Sequence, residues 1–194
     1  MRYLGFLLGV LAVLVIIGCD DPDPVSSVSD PTGKLTVSGT KAGGYFGKAE
    51  LERAFVGSWR LVSFETRPES GGEVFYPLGP DAQGQLMYDN AGNMSVHLMK
   101  ADRPLFASGD MRRGTDEEVR AAFEGLIAYF GIYAIDAAKG IVTHHLRGAT
   151  FPNWVGTDQS RYFKFEDGRL SLLTPPILYG VQPAVSVLVW ERIH

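Results

Sequence analysis

Hydrophobic and polar positions follow different patterns in successive parts of this chain. Residues 3–17 are an uninterrupted apolar run, and residues 20–47 keep neither the period of a strand nor that of a helix. From residue 57 onward, short runs alternate between apolar and polar positions, which is the pattern of half-buried β-strands. We predict eight strands, at 57–66, 84–89, 93–100, 130–136, 140–147, 159–166, 169–174 and 184–193.

Turn-forming residues separate several of these strands by only a few positions. They occupy 90–93, 137–140 and 167–168, so we expect consecutive strands to pair antiparallel. An open sheet of this size would expose two edges, whereas closure into a barrel removes them. The predicted fold class is therefore mainly β, an eight-stranded antiparallel β-barrel.

Two segments follow a helical pattern instead. In 48–56, Leu51 and Phe55 fall on one helical face. From Thr115, the sequence Thr-Asp-Glu-Glu is a capping box, and its acidic residues suit the N-terminus of a helix. We predict an inserted amphipathic α-helix over about 115–128, lying across the barrel mouth or against its side. Its apolar face would consist of Val119, Ala122, Phe123, Leu126 and Ile127.

The N-terminal apolar run is shorter than the roughly 20 residues that a transmembrane helix needs. It follows Arg2 and ends in Ile-Ile-Gly-Cys at 16–19, which resembles the lipobox of bacterial lipoproteins. The resemblance implies that the signal peptide, 1–18, is cleaved and that Cys19 is acylated. Each buried methylene contributes about 0.8 kcal/mol, so two or three acyl chains anchor stably. An uncleaved anchor helix, or a secretory signal in which the cysteine is incidental, are the alternatives.

Residues 19–47 are rich in Asp, Pro, Ser, Gly and Thr. Such a composition buries too little apolar surface to offset the entropy of ordering, so we predict a flexible linker, followed by the barrel domain over 48–194. Asp20 resembles the signal that retains enterobacterial-type lipoproteins in the inner membrane. The predicted location is therefore the extracytoplasmic, periplasmic face of a membrane, with the lipid anchor as the contact.

Composition narrows the possible partners and chemistry. The chain is 45% hydrophobic with a formal net charge of −4 and has no cluster of Lys or Arg, so no nucleic acid is expected as a partner. Its single cysteine excludes an internal disulfide and Cys-based zinc sites. Rossmann, phosphate-loop, Gly-x-Ser-x-Gly and His-Glu-x-x-His motifs are absent from the sequence. We therefore expect no cofactor and no metal, and we expect binding more than catalysis.

The first and the last predicted strands carry a recognisable pair of motifs. Gly57-Ser58-Trp59 opens the first strand, and Arg192 lies in the last. This pair resembles the lipocalin signature, which implies that the Trp59 indole plugs one end of the barrel under the Arg192 side chain. Such a cation–π contact contributes about 0.5–2 kcal/mol. Gly57 would lie where the chain enters the barrel without room for a side chain.

A longer set of motifs resembles the lipocalin-like domain family of bacteria and fungi. The resemblance covers roughly residues 55–193 and implies a small β-barrel with a central cavity, but no single activity. The motifs are Tyr76-Pro77-Leu78-Gly79, Gly84-Gln85-Leu86-Met87-Tyr88, Met94-Ser95-Val96-His97-Leu98-Met99, Asp102-Arg103-Pro104, Tyr129-Phe130-Gly131-Ile132-Tyr133, Val142-Thr143-His144-His145 and Pro152-Asn153-Trp154-Val155-Gly156.

Alternation along the strands predicts which side chains face the interior. With Trp59 inward, Leu61 and Ser63 also face inward, whereas Phe64 faces outward. In 93–100, parity alone does not decide whether His97 faces the interior. These assignments assume an unbroken alternation within each strand.

Alternation also predicts which polar groups face the interior. His144 lies between two apolar positions of one face, so it is the histidine expected to point inward. Phe163 and Phe165 should be buried, which carries Arg161 inward near a rim. An inward Arg161 would bind the carboxylate of a fatty-acid-like ligand. The alternative is a surface ion pair of Arg161 with Asp158 or Glu166.

These residues leave three functions open. The first is binding of a small hydrophobic or amphipathic ligand in the cavity. The second is an isomerase, cyclase or hydrolase in which His144 is the acid–base catalyst. The third is a structural module with a filled barrel. The predicted ligand-binding residues are His144, Arg161, Phe163, Tyr133, His97 and Trp154, the last at the barrel mouth or as a core plug. His144 and His145 point to opposite faces, so they cannot chelate one metal ion together.

Overall fold

A computed structural model describes residues 40–41, 44–45, 47–179 and 181–194. The predicted signal peptide, Cys19 and residues 20–39 of the predicted linker lie outside this part. Within the remainder of that linker, β1 (Thr40–Lys41) pairs antiparallel with β2 (Gly44–Tyr45). β1 lies against the later strand Asp158–Glu166.

Eight antiparallel strands close into a β-barrel, as the alternation predicted. Each strand pairs with the next along the chain, and the last one closes the barrel by pairing with both β3 and β9. A short additional strand, β10, pairs with the outer end of β11. The strands are β3 (Gly57–Pro68), β4 (Gln83–Tyr88), β5 (Asn93–Met99), β6 (Leu126–Asp136), β7 (Ile141–Ala149), β8 (Asp158–Glu166), β9 (Arg169–Leu173), β10 (Ile177–Tyr179) and β11 (Gln182–Arg192).

The helix α1 (Lys48–Phe55) covers one end of the barrel. Its Leu51 and Phe55 side chains are buried. The Phe55 ring makes edge-on contacts, with centroids 5.3, 5.0 and 5.1 Å from the rings of Tyr88, Phe163 and Phe165. These aromatic contacts fill the α1 end, so any interior space lies toward the opposite end.

Trp59 and Arg192 complete the closure at the α1 end. The Arg192 guanidinium carbon lies 4.2 Å from the centre of the Trp59 ring. The Trp59 indole N–H donates to the Phe55 carbonyl at 2.9 Å. This is the stacking that the resemblance to lipocalins implies.

The second helix is shorter than predicted. α2 (Asp116–Glu124) begins at the expected capping box, in which Thr115 and Glu118 each accept a backbone hydrogen bond from the other. It ends at Glu124 instead of near 128, because residues 126 and 127 start β6 and pair with β5. The apolar residues at 126–127 fit both the helical period and the strand period, but they pair with β5 and so belong to β6.

The apolar face of α2 is less buried than predicted. No α2 residue is buried against the described part of the chain. Val119 and Phe123, which the helical pattern placed on a buried face, are 50% and 52% exposed.

None of the described helices is long and apolar enough to cross a bilayer.

A β-bulge in β3 reverses the expected orientation of Phe64. Trp190 pairs with Leu61 and Val189 pairs with Ser63, so Val62 has no residue opposite it. A bulge inserts one extra residue and shifts the alternation by one position. Phe64 is therefore buried in the interior, and its predicted outward position is wrong.

Candidate functional site

A partly open cavity of about 130 Å³ lies inside the barrel, toward the end opposite α1. Its walls are mostly apolar, because alternation on β4, β5, β9 and β11 turns Leu86, Val96, Leu172 and Leu188 inward. An interior cavity of about 150 Å³ is known to hold a benzene molecule. The space is therefore suited to a ligand built around one ring.

Trp154 lies at the mouth of this cavity, on the single-turn 3-10 helix Pro152–Trp154 between β7 and β8. Its ring contacts Tyr129 and Phe151 edge-on, with centroids 6.1 and 5.6 Å away. Ile177 of β10 lines the same space. The structure thus places Trp154 in the cavity lining, at the mouth rather than deep in the core.

Arg161 reaches the cavity from β8 as a partly buried cation. It donates to the Ser160 carbonyl at 2.8 Å and to the Gln159 side-chain oxygen at 3.4 Å. These acceptors are neutral. Among the residues that the structure describes, no carboxylate lies within ion-pair distance of Arg161.

The alternative surface pairing of Arg161 is wrong. Asp158 pairs instead with His145, Nδ1 to Oδ1 at 2.6 Å, and Glu166 pairs with Lys164 at 2.9 Å. Phe163 is fully buried on the same face of β8, which turns Arg161 inward as alternation predicted. The positive charge of Arg161 is therefore available to a ligand.

His144 is buried in the cavity wall, with 1% of its surface exposed. Its Nε2 lies 2.7 Å from the Tyr88 hydroxyl, and its Nδ1 lies 3.4 Å from the Tyr129 hydroxyl. Burial, reinforced by the charges of Arg161 and His145, lowers the pKa of His144 to about 3. Burial also raises the pKa of the Tyr88 hydroxyl well above its usual value. The Tyr88–His144 pair is therefore uncharged at neutral pH.

Trp190 lines the cavity from β11 and is 1% exposed. Its indole N–H is buried and has no hydrogen-bond acceptor among the described residues. Sequence reasoning did not select this residue. The available signal was its spacing from Arg192, because residues two apart on a strand share a face.

His97 is not part of the cavity. Met94, Val96 and Leu98 of β5 are buried, which turns His97 to the exposed outer face. The sequence left this parity undecided, because both faces of β5 carry apolar residues. The predicted ligand contact of His97 is therefore wrong.

Phe163 and Tyr133 pack in the core, but nearer to α1 than the cavity lies. Phe163 packs against Phe55 at the α1 end. Tyr133 packs on Tyr88, with centroids 4.7 Å apart, and its hydroxyl donates to the Asp89 carbonyl at 3.0 Å. Neither side chain lines the cavity, so their predicted ligand contacts are corrected to core packing at the α1 end.

A groove of about 690 Å³ lies on the outer surface of the barrel. It is lined by outward side chains that include Met87, Phe130 and Arg147, all of them exposed. This groove is larger than the cavity, but it is more open to solvent. In 47–179 and 181–194, no three His, Asp or Glu side chains come close enough to hold a metal ion.

Comparisons with known proteins bear on this site. The family model described as a lipocalin-like domain matches residues 56–193, which is the whole barrel. The curated 4'-hydroxy-3'-methoxypropiophenone carrier protein ppsC of Aspergillus oryzae is 28% identical over 108 residues, covering 52% of this chain and 96% of the fungal protein.

Proposed function

The chain belongs to the lipocalin-like domain family, and on that basis we propose that it binds and carries a small amphipathic molecule in the barrel cavity. The observation that carries this proposal is the apolar-walled space inside the barrel, with Arg161 among its lining residues. The fungal relative is named as a carrier of a single-ring aromatic ketone. The aromatic ring of such a molecule matches a cavity of about 130 Å³, since about 150 Å³ holds benzene.

The size of the cavity favours a compact ligand over the fatty-acid-like molecule that Arg161 suggested from the sequence. Pockets for drug-sized ligands usually measure about 300–1,000 Å³. Burial of one aromatic ring contributes roughly 4–6 kcal/mol at about 25 cal/mol per Å². Association costs a similar amount, so the polar groups of the cavity have to contribute to the affinity.

His144 supports a binding role more than an acid–base role. A histidine whose pKa is about 3 is a weak proton acceptor at neutral pH. Both of its ring nitrogens also have tyrosine hydroxyls as partners. These features suit a residue that lines a binding cavity. The cavity itself weighs against the third function, a structural module with a filled barrel.

Isothermal titration of the purified full chain with 4-methoxyacetophenone and with palmitate tests the carrier function. We expect the ketone to bind with a stoichiometry of one, and palmitate to bind much more weakly. Leu188→Phe, which fills the cavity, should abolish binding of the ketone, whereas Val62→Phe on the outer face should retain it. A folded wild-type chain that binds no single-ring probe, or equal binding by both variants, would contradict the proposal.

We further propose that Cys19 is acylated and holds the barrel at the extracytoplasmic face of a membrane, with Asp20 favouring the inner membrane. The lipobox-like sequence and the linker composition support this step. Mass spectrometry of the N-terminal peptide should find two or three acyl chains on Cys19. Cys19→Ser should move the chain from the membrane fraction to the soluble fraction, and a chain that stays membrane-bound after this change would contradict the anchor.

A further inference from the structure

The polar groups that line the cavity are biased toward hydrogen-bond donors. The clearest case is the Trp190 indole, whose only polar group is an N–H donor. It is buried and has no acceptor in the described part of the chain. Native proteins rarely leave a buried donor unpaired. Trp190 is one of the residues that line the cavity, so a bound molecule whose oxygen reached the indole nitrogen would satisfy this donor.

The Tyr88–His144–Tyr129 unit supplies a second donor. Neutral imidazole has one N–H and one acceptor nitrogen. Tyr88 is buried and does not line the cavity, so its proton has only His144 Nε2 as an acceptor among the described residues. His144 Nδ1–H then donates to Tyr129, and the Tyr129 hydroxyl proton stays available. Since Tyr129 lines the cavity, that proton can reach a ligand.

Arg161 is the third donor, and its charge selects an anion. Arg161 lines the same cavity as Tyr129, and it lies two residues along β8 from Gln159, the residue that pairs with His144. Its described partners are neutral oxygens. A carboxylate would replace these weak contacts with charge-assisted hydrogen bonds.

We infer that the ligand is an aromatic carboxylate that also carries an ether or carbonyl oxygen on the far side of its ring. The carboxylate contacts Arg161 and Tyr129, the ring packs between Leu172 and Leu188, and the second oxygen accepts from the Trp190 N–H. Trp190 lies deeper than Arg161, because it pairs with Leu61 close to the Trp59 end. This inference rests on the proposed carrier function and names its ligand class.

A matched pair of probes tests the Trp190 contact. 4-Methoxybenzoate and 4-ethylbenzoate have the same number of heavy atoms and nearly the same size, but a methylene replaces the ether oxygen in the second. Titration calorimetry on the full chain should give about 5-fold tighter binding of 4-methoxybenzoate, as for one net hydrogen bond. Trp190→Phe, which keeps a ring but lacks the N–H, should reduce this preference to less than about 2-fold. Equal affinities for the two probes in the wild-type chain would overturn the Trp190 contact, even if the variant does not fold.

A second pair of probes tests the Arg161 contact. Arg161→Gln should weaken 4-methoxybenzoate at least about 10-fold, but change binding of the neutral 4-methoxyacetophenone by less than about 2-fold. Arg147→Gln, in the outer groove, should change neither. Equal weakening of both probes by Arg161→Gln would overturn the carboxylate contact.

The two proposals fail in different ways. If the ketone binds in the cavity but neither benzoate does, the carrier function stands and the carboxylate class is wrong. If none of these single-ring probes binds the wild-type chain, the carrier function itself is wrong. Loss of binding in Arg147→Gln would place the ligand in the outer groove and overturn both.

Discussion

Arg192 binds the chain at the entrance to the barrel while its guanidinium lies 4.2 Å from the centre of the Trp59 ring. It donates to the carbonyls of Ala54 and Val56, each at 2.6 Å. One side chain of the last strand therefore holds the end of α1, the start of β3 and the Trp59 plug together. This contact closes the end of the barrel that lies beneath the cavity.

Replacement of Arg192 by Met should lower the free energy of unfolding by about 2–4 kcal/mol, because it removes two charge-assisted hydrogen bonds and a cation–π contact. Urea denaturation measures the change. Arg60→Met is the matched control, since Arg60 makes an exposed ion pair with Glu191 and should cost less than about 1 kcal/mol. Similar losses in the two variants would show that Arg192 has no special role in closure.

Any side chain at Gly57 should lower the stability of the chain, because it would crowd Arg192. Its φ angle is +141°, and a Cβ atom there would collide with the Arg192 guanidinium. Gly57→Ala should therefore destabilise the chain by about 2–4 kcal/mol, from backbone strain and displacement of Arg192. Gly47→Ala is the control, because a Cβ at Gly47 meets nothing within 4 Å. If thermal unfolding of the two variants coincided, the proposed crowding would be absent.

Alternation predicted most of the barrel, because each strand needs an apolar inner face and its own sequence shows which face that is. It turned Val142, His144 and Leu146 to the interior correctly. It failed at Phe64, because a bulge depends on the pairing with β11 and leaves no mark in the sequence of β3. The predicted end of α2 was too far along the chain, because the apolar residues 126–127 fit both the helical period and the strand period.

The site was predicted less well than the fold, for a geometric reason. Alternation gives the side of the sheet on which a residue lies, but not its depth along the barrel axis. Phe163 and Tyr133 were expected beside the ligand and instead pack at the α1 end. Trp190 and Tyr129, which line the cavity, could be placed only after the strand register was known.

His144 should make the stability of the barrel depend on pH. Its pKa in the folded chain is about 3, against about 6.5 in the unfolded chain. The unfolded state therefore binds more protons below pH 6.5, and the stabilisation present above that pH is lost as the pH falls toward 3. The free energy of unfolding should fall by about 2 kcal/mol between pH 7 and pH 5 from this group alone.

Urea denaturation at several pH values checks this dependence. His144→Phe should flatten the fall between pH 7 and pH 5, although its stability at pH 7 should be lower because the tyrosine contacts are lost. His97→Gln, at an exposed position on the outer face, should keep the wild-type slope. An NMR titration in which the His144 ring shows a midpoint near pH 6.5 would refute the assignment.

The enclosed ligand is tested most directly by intermolecular nuclear Overhauser effects between 4-methoxyacetophenone and the methyl-labelled chain. We expect contacts from the ring protons of the probe to the methyl groups of Leu172 and Leu188 and to the Trp190 indole. Contacts to Met87 and Phe130 instead, in the outer groove, would contradict it.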